Sequence, residues 1–124
     1  MKNRKGLTFS AYQVAAAQTA VYPKDIWVVG HSLATLHWVY PLIGLQGEVG
    51  ELANKLKKII RDTGGVVPAG MRMVIQEEVG DILWYLAMTC AELNLSLEGA
   101  AKGNVRKLAS RKRRKVLHGS GDVR

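Results

Sequence analysis

Residues 42–65 read LIGLQGEVGELANKLKKIIRDTGG, and their apolar positions recur with helical spacing. Leu45, Val49, Leu52, Leu56 and Ile59 follow an i, i+4, i+7 order, which places them on one stripe of a helix from about Leu42 to Arg61. Asp62-Thr63-Gly64-Gly65 stops that helix, and a loop continues through Pro68 to Gly70. The same period returns at Val79, Ile82, Leu83, Leu86, Cys90 and Leu93, the expected buried stripe of a helix from about Met71 to Leu93. Asn94-Leu95-Ser96 breaks it, and Ser96 suits the N-cap of a last helix that buries Leu97, Ala101, Val105 and Leu108 before a basic run. Upstream, a first helix spans about Thr8 to Ala20, with Phe9, Tyr12, Ala16 and Ala20 near one face, and Tyr22-Pro23-Lys24-Asp25 ends it. Ile26 to Tyr40 reads as a short helix or an apolar loop bounded by Pro41, and no convincing strand pair is evident. Four principal helices with short connections predict an all-α, four-helix-bundle-like fold with antiparallel neighbours.

Length and composition fit that outline. A chain of 124 residues suits one domain with one core, here residues 1–117 followed by a flexible 118–124 tail. A hydrophobic share of 48% and a charged share of 23% exclude a fibrous or wholly disordered chain. The single cysteine, Cys90, cannot form an internal disulfide and reads as a small core residue, consistent with a reducing cytoplasm. The basic start is followed by Phe9 to Ala20, which Ser10, Gln13, Gln18 and Thr19 interrupt, so it is no signal-peptide core. Ile26 to Leu45 is long enough to span a membrane but contains Gly30, His31, Ser32, Thr35, His37 and Pro41, which argue against it.

The net charge is +8, yet the acidic residues are grouped. Glu48 and Glu51 share one helix face, and Glu78 and Asp81 repeat the spacing on the next helix. The first pair lies about twelve residues before the loop and the second about nine after it, or roughly 18 and 14 Å at 1.5 Å per residue. In an antiparallel hairpin the four carboxylates then face one another. Such a cluster repels itself unless a cation sits within it, and an all-oxygen set without histidine favours magnesium or manganese over iron or zinc. One such pair alone would read as a solvated face answered by Lys55, Lys57 and Lys58; two pairs at matching heights favour metal. Lys55 and Lys58 continue the Glu48/Glu51 face, and Asn104, Lys107 and Arg111 form a polar stripe on the last helix. Bound metal with flanking cations suits a polyphosphate. No Walker P-loop is present, since Gly64-Gly65 is not followed by Gly-Lys-Ser/Thr.

Glu48-Val49-Gly50-Glu51 followed by Glu78-Val79-Gly80-Asp81 resembles the E-x-x-E…E-x-x-D pattern of MazG-like pyrophosphohydrolases and their all-α relatives. Gly44-Leu45-Gln46-Gly47, Asn54-Lys55-Leu56-Lys57-Lys58, Ile82-Leu83-Trp84-Tyr85 and Asn104-Val105-Arg106-Lys107-Leu108 fit the flanking text of that family. Leu117-His118-Gly119-Ser120-Gly121-Asp122 looks like the end of short bacterial and phage members. The resemblance covers nearly the whole chain and is weakest from Ile26 to Tyr40. It implies hydrolysis of nucleoside triphosphates between the α and β phosphates, with magnesium held by Glu48, Glu51, Glu78 and Asp81. One glutamate of the first pair would also orient or deprotonate the attacking water. It further implies phosphate contacts from Asn104 and Lys107 and assembly as a homodimer or homotetramer. Candidates for stacking on the base are Tyr12, Trp84 and Tyr85, with Trp38 and Tyr40 beside them. The rival reading is a nucleic-acid-binding module that uses Arg111-Lys112-Arg113-Arg114-Lys115, which explains the charge but not the paired carboxylates.

Overall fold

The computed structural model describes residues 6–24, 27–28, 31–32 and 37–117. The first helix, α1 (Phe9–Ala17), starts where the Thr8 hydroxyl accepts the Ala11 N–H at 3.1 Å. It is shorter than the sequence pattern implies, because its end tightens: Gln18, Thr19 and Ala20 bond back three residues rather than four. A minimal hairpin follows, in which β1 (Trp27–Val28) pairs antiparallel with β2 (His31–Ser32). The sequence did not signal that pair, and the rest of 25–36 lies outside the described residues, as do 118–124.

The second helix, α2 (Val39–Thr63), begins before Pro41 rather than after it. Proline is tolerated in a first turn, where its missing N–H has no partner to lose. At the other end Gly64 takes a left-handed φ of 62°, and the N–H groups of Gly64 and Gly65 both reach back to the Ile59 carbonyl. Residues 65–68 lead into α3 (Ala69–Glu92), which Pro68 precedes in extended conformation. Asn94 adopts a positive φ of 55° beyond the end of α3, and Ser96 then caps α4 (Leu97–Arg113) by accepting the Gly99 N–H at 2.9 Å.

Gly44 of early α2 approaches Tyr85 of late α3, and Lys55 of late α2 reaches Glu78 of early α3, so the two long helices run antiparallel. Among the described residues this hairpin is the most extensive packing, and α3 also meets α1 and α4. The core gathers Ala16, Tyr22, Ala87, Met88, Cys90 and Leu97. Cys90 is buried as expected, and burial pushes its thiol up. No helix among the described residues is long and apolar enough to cross a membrane.

The expected stripes are only partly buried. Val49 and Leu56 on α2, Val79 and Leu86 on α3 with Leu93 just beyond its end, Phe9 on α1, and Val105 (66% exposed) and Leu108 (45%) on α4 all face outward. The reason is geometric. Among the described helices α2 packs on α3 alone, and α4 touches α1 and α3 but not α2, so one chain covers only one flank of each stripe.

Polar contacts fasten α4 to α1. Glu98 accepts Ser10 N–H at 3.1 Å and Ser10 O–H at 2.7 Å, and pairs with Lys102 at 2.6 Å; Gln13 bonds both the Leu95 carbonyl and the Leu97 N–H. The Lys102 ammonium, then the Ser10 donors, hold the Glu98 carboxyl down to about 2. A carboxylate with a depressed folded pKa stabilises the fold above its unfolded value, near 4.5, and loses that contribution as pH falls toward about 2. Thermal melting of wild type and Glu98→Gln across pH 7 to 2 is expected to show a wild-type advantage above pH 5 that shrinks and vanishes through that window.

Candidate active site

Glu48 and Glu51 lie one turn apart on α2, and Glu78 faces them from α3. One carboxylate oxygen from each lies within 4.8 Å of the other two, an arrangement that can hold a metal ion. The side chain of Glu78 is 13% exposed and that of Glu51 66%, so the group opens from the hairpin toward solvent. Glu78 Oε1 accepts Lys55 Nζ at 2.8 Å, and Lys55 stands 4.0 Å from Glu51. Glu78 Oε2 is buried without a hydrogen-bond partner. Such an orphaned acceptor costs about 1–3 kcal/mol, and more when charged, unless a donor or cation reaches it. Burial, then the charges of Asp81, Glu51 and Glu78, push the Glu48 carboxyl up, with Lys55 opposing. Asp81 is exposed and stands outside the three-oxygen group, but its charge raises Glu48, Tyr12 and Tyr85 alike, so it borders the site. An all-oxygen set with an unsatisfied buried carboxylate oxygen fits a hard divalent cation.

The description "MazG nucleotide pyrophosphohydrolase domain" matches residues 42–116, which span α2, α3 and α4. The chain belongs to the MazG nucleotide pyrophosphohydrolase family. Its similarity to the Gene 37 protein of Mycobacterium phage L5 is 43% identity over 113 residues, covering 91% of this chain and 96% of that protein. No solved structure matches. The MazG match leaves α1 out, whereas the phage relative covers nearly the whole chain.

Around the carboxylates of this MazG domain the other expected residues separate into groups. Lys55 reaches the cluster directly. Lys58 does not pair with it but lines, with Lys55, Ile59, Asp62, Thr63, Pro68, Met71 and Val74, a cavity of about 460 Å³ beside the hairpin loop. Asn104 and Lys107 are exposed and Arg111 is half-buried, on a helix that meets α3 but not α2.

The aromatic candidates also divide. Trp84 and Tyr85 line a cleft of about 270 Å³ with Thr19, Val21, Tyr22, Pro23 and Tyr40, close to the ~300 Å³ at which small-molecule sites begin. Tyr12 lines a different hollow with Leu7, Thr8, Phe9 and Leu83, and Trp38 sits half-buried at the start of α2. Within the cleft Tyr22 stacks on Tyr40 at 5.1 Å, and Trp84 meets Tyr22 and Tyr85 edge-on. The Trp84 indole N–H is committed to the Thr19 hydroxyl at 2.8 Å. Burial, then Tyr40, Glu48 and Asp81, push the Tyr85 hydroxyl up, so Tyr85 stands between cleft and carboxylates.

Sequence reasoning missed Tyr22 and Glu92. Tyr22 reads as part of a helix-ending turn, yet it is buried, and its hydroxyl donates to Glu92, which also pairs with Lys24 at 3.2 Å. Burial pushes Glu92 up, but the donors Tyr22 and Lys24 outweigh it and hold the carboxyl below its usual range. Gly44 was visible as a glycine inside a helix, though not its purpose: a Cβ there would come within 2.6 Å of Tyr85 Cδ1. Gly44→Ala should therefore displace the Tyr85 ring and lower the unfolding free energy by about 1–3 kcal/mol, the usual cost of overpacking. Denaturant unfolding of both proteins checks it, and an unchanged midpoint would show that the ring has room to spare.

Proposed function

We propose that this MazG domain hydrolyses nucleoside triphosphates between the α and β phosphates, giving the monophosphate and pyrophosphate, and so adjusts or cleans the nucleotide pool. The observation that carries the reading is the convergence of Glu48, Glu51 and Glu78 around the unpartnered Glu78 Oε2 in a chain of this family. Glu48, Glu51 and Glu78, with Asp81 at the border, hold magnesium, or manganese in its place. The ion supplies charge neutralisation on the triphosphate and a water readied for attack near neutral pH. A glutamate of the α2 pair orients that water and takes its proton. Lys55 and Lys58, and from α4 Asn104, Lys107 and Arg111, bind phosphate oxygens.

The base enters the cleft lined by Tyr22, Tyr40, Trp84 and Tyr85, where stacking holds it. Tyr85 then links base and phosphate ends of the substrate, and Tyr12, near Asp81, closes the other side. The outward apolar residues of α2, α3 and α4 support assembly as a homodimer or homotetramer, since exposed stripes of this size call for a partner chain. The site of action is the cytoplasm, or that of the host if the chain, like its phage relative, is phage-encoded.

Pyrophosphate release from a panel of ribo- and deoxyribonucleoside triphosphates, with magnesium and with chelator, tests the reaction. Magnesium-dependent release with monophosphate as co-product is expected. Absence of release from folded protein would sink the reading and favour backbone binding of nucleic acid by Arg111–Lys115. Glu51→Ala and Asp81→Ala should each cut turnover by about 10²-fold or more while circular dichroism stays helical. Tyr85→Ala should act mainly on KM, raising it about tenfold through lost base stacking; an unchanged KM would remove Tyr85 from the base site.

A further inference from the structure

Lys55 is an odd neighbour for a metal site. It lies one turn beyond Glu51 on α2, and its ammonium reaches across the hairpin to Glu78 at 2.8 Å. There it neutralises one of three converging negative charges and leaves a net charge of about −2 among them at neutral pH. A divalent ion on the same oxygens would sit about 2.0–2.6 Å from each. It would share the Glu78 carboxylate with an ammonium already bound there, and two cations on one small carboxylate repel each other strongly. Lys55 also has somewhere to go. It lines the 460 Å³ cavity toward the hairpin loop, whose wall also carries Lys58 and Asp62, the carboxylate of Asp62 being paired with Arg61 at 2.6 and 2.9 Å.

We propose that Lys55 is the resident counter-cation of the carboxylate site, bound to Glu78 without metal and expelled into the adjoining cavity when a divalent ion enters. The exchange keeps the carboxylates converged in the empty protein, where otherwise they would splay. It also delivers Lys55 beside Lys58 at the moment the site becomes competent, building a two-lysine receptor for phosphate oxygens next to the metal. The inference rests on the metal reading above and adds a sequence to it: metal first, then triphosphate.

Amine acetylation at limiting reagent, read lysine by lysine by peptide mass spectrometry, follows Lys55 directly in the whole chain with Mg²⁺ as the only added ligand. Lys55 should label slowly without metal, because its amine is engaged by Glu78 at 2.8 Å, and several-fold faster with Mg²⁺, while Lys58 changes little. In parallel, Mn²⁺ affinity by electron paramagnetic resonance should be about tenfold tighter in Lys55→Met than in wild type, because a like charge has been removed. Mn²⁺ binding with unchanged Lys55 labelling would overturn the exchange and leave the metal site standing. Failure of wild type to bind Mn²⁺ at all would overturn the metal reading and the exchange with it. Should Lys55→Met fail to fold, the wild-type labelling still decides.

Discussion

The antiparallel register of α2 on α3 is the constraint on which the rest of the molecule depends. It sets Glu78 opposite Glu48 and Glu51, Lys55 between the two helices, and Gly44 beneath the Tyr85 ring. These contacts lie along one interface, so a shift of one helical turn would break them together. Repulsion among the carboxylates pulls against that register, and Lys55 opposes it. The carboxylate cluster is therefore built at a cost in local stability.

The third helix organises both halves of the proposed site. Its first half carries Glu78 and Asp81, its middle carries Trp84 and Tyr85, and its far side holds the core with Ala87, Met88 and Cys90. Glu78 and Tyr85 are seven residues apart, two turns on one face, so the carboxylate group and the aromatic cleft are spaced along a single rigid rod. Precision of this kind is easier on a helix than on loops. The loop after α1 completes the cleft through Tyr22, whose ring stacks on Tyr40 and whose hydroxyl is tied to Glu92. A turn residue thus becomes part of a wall because α1 and α3 bring it against the start of α2.

Helix number, helix stops and the candidate carboxylates were legible in the sequence because they are local. Helical periodicity needs no knowledge of partners, Gly64 and Ser96 announce an end and a start through their own backbone and side-chain chemistry, and the spacing of Glu48, Glu51, Glu78 and Asp81 fixes which share a face. The extent of burial was not legible. Val49, Leu86, Val105 and Leu108 carry the correct period, yet whether such a position is covered depends on which helices happen to flank it.

The chain's own order of residues therefore settled the all-α architecture, the helix boundaries to within a turn or so, and which acidic residues were candidates to converge. Packing settled the rest. It drew Glu78 into a nearly buried position and left Asp81 outside, joined Trp84 and Tyr85 to Tyr22 and Tyr40 while sending Tyr12 to another hollow, and kept α4 away from α2. The physical reason is range. Periodicity, caps and turn chemistry act within a few residues, whereas burial, ion pairing and the shape of a cleft arise between segments far apart in sequence, and their outcome depends on the three-dimensional neighbours of each side chain.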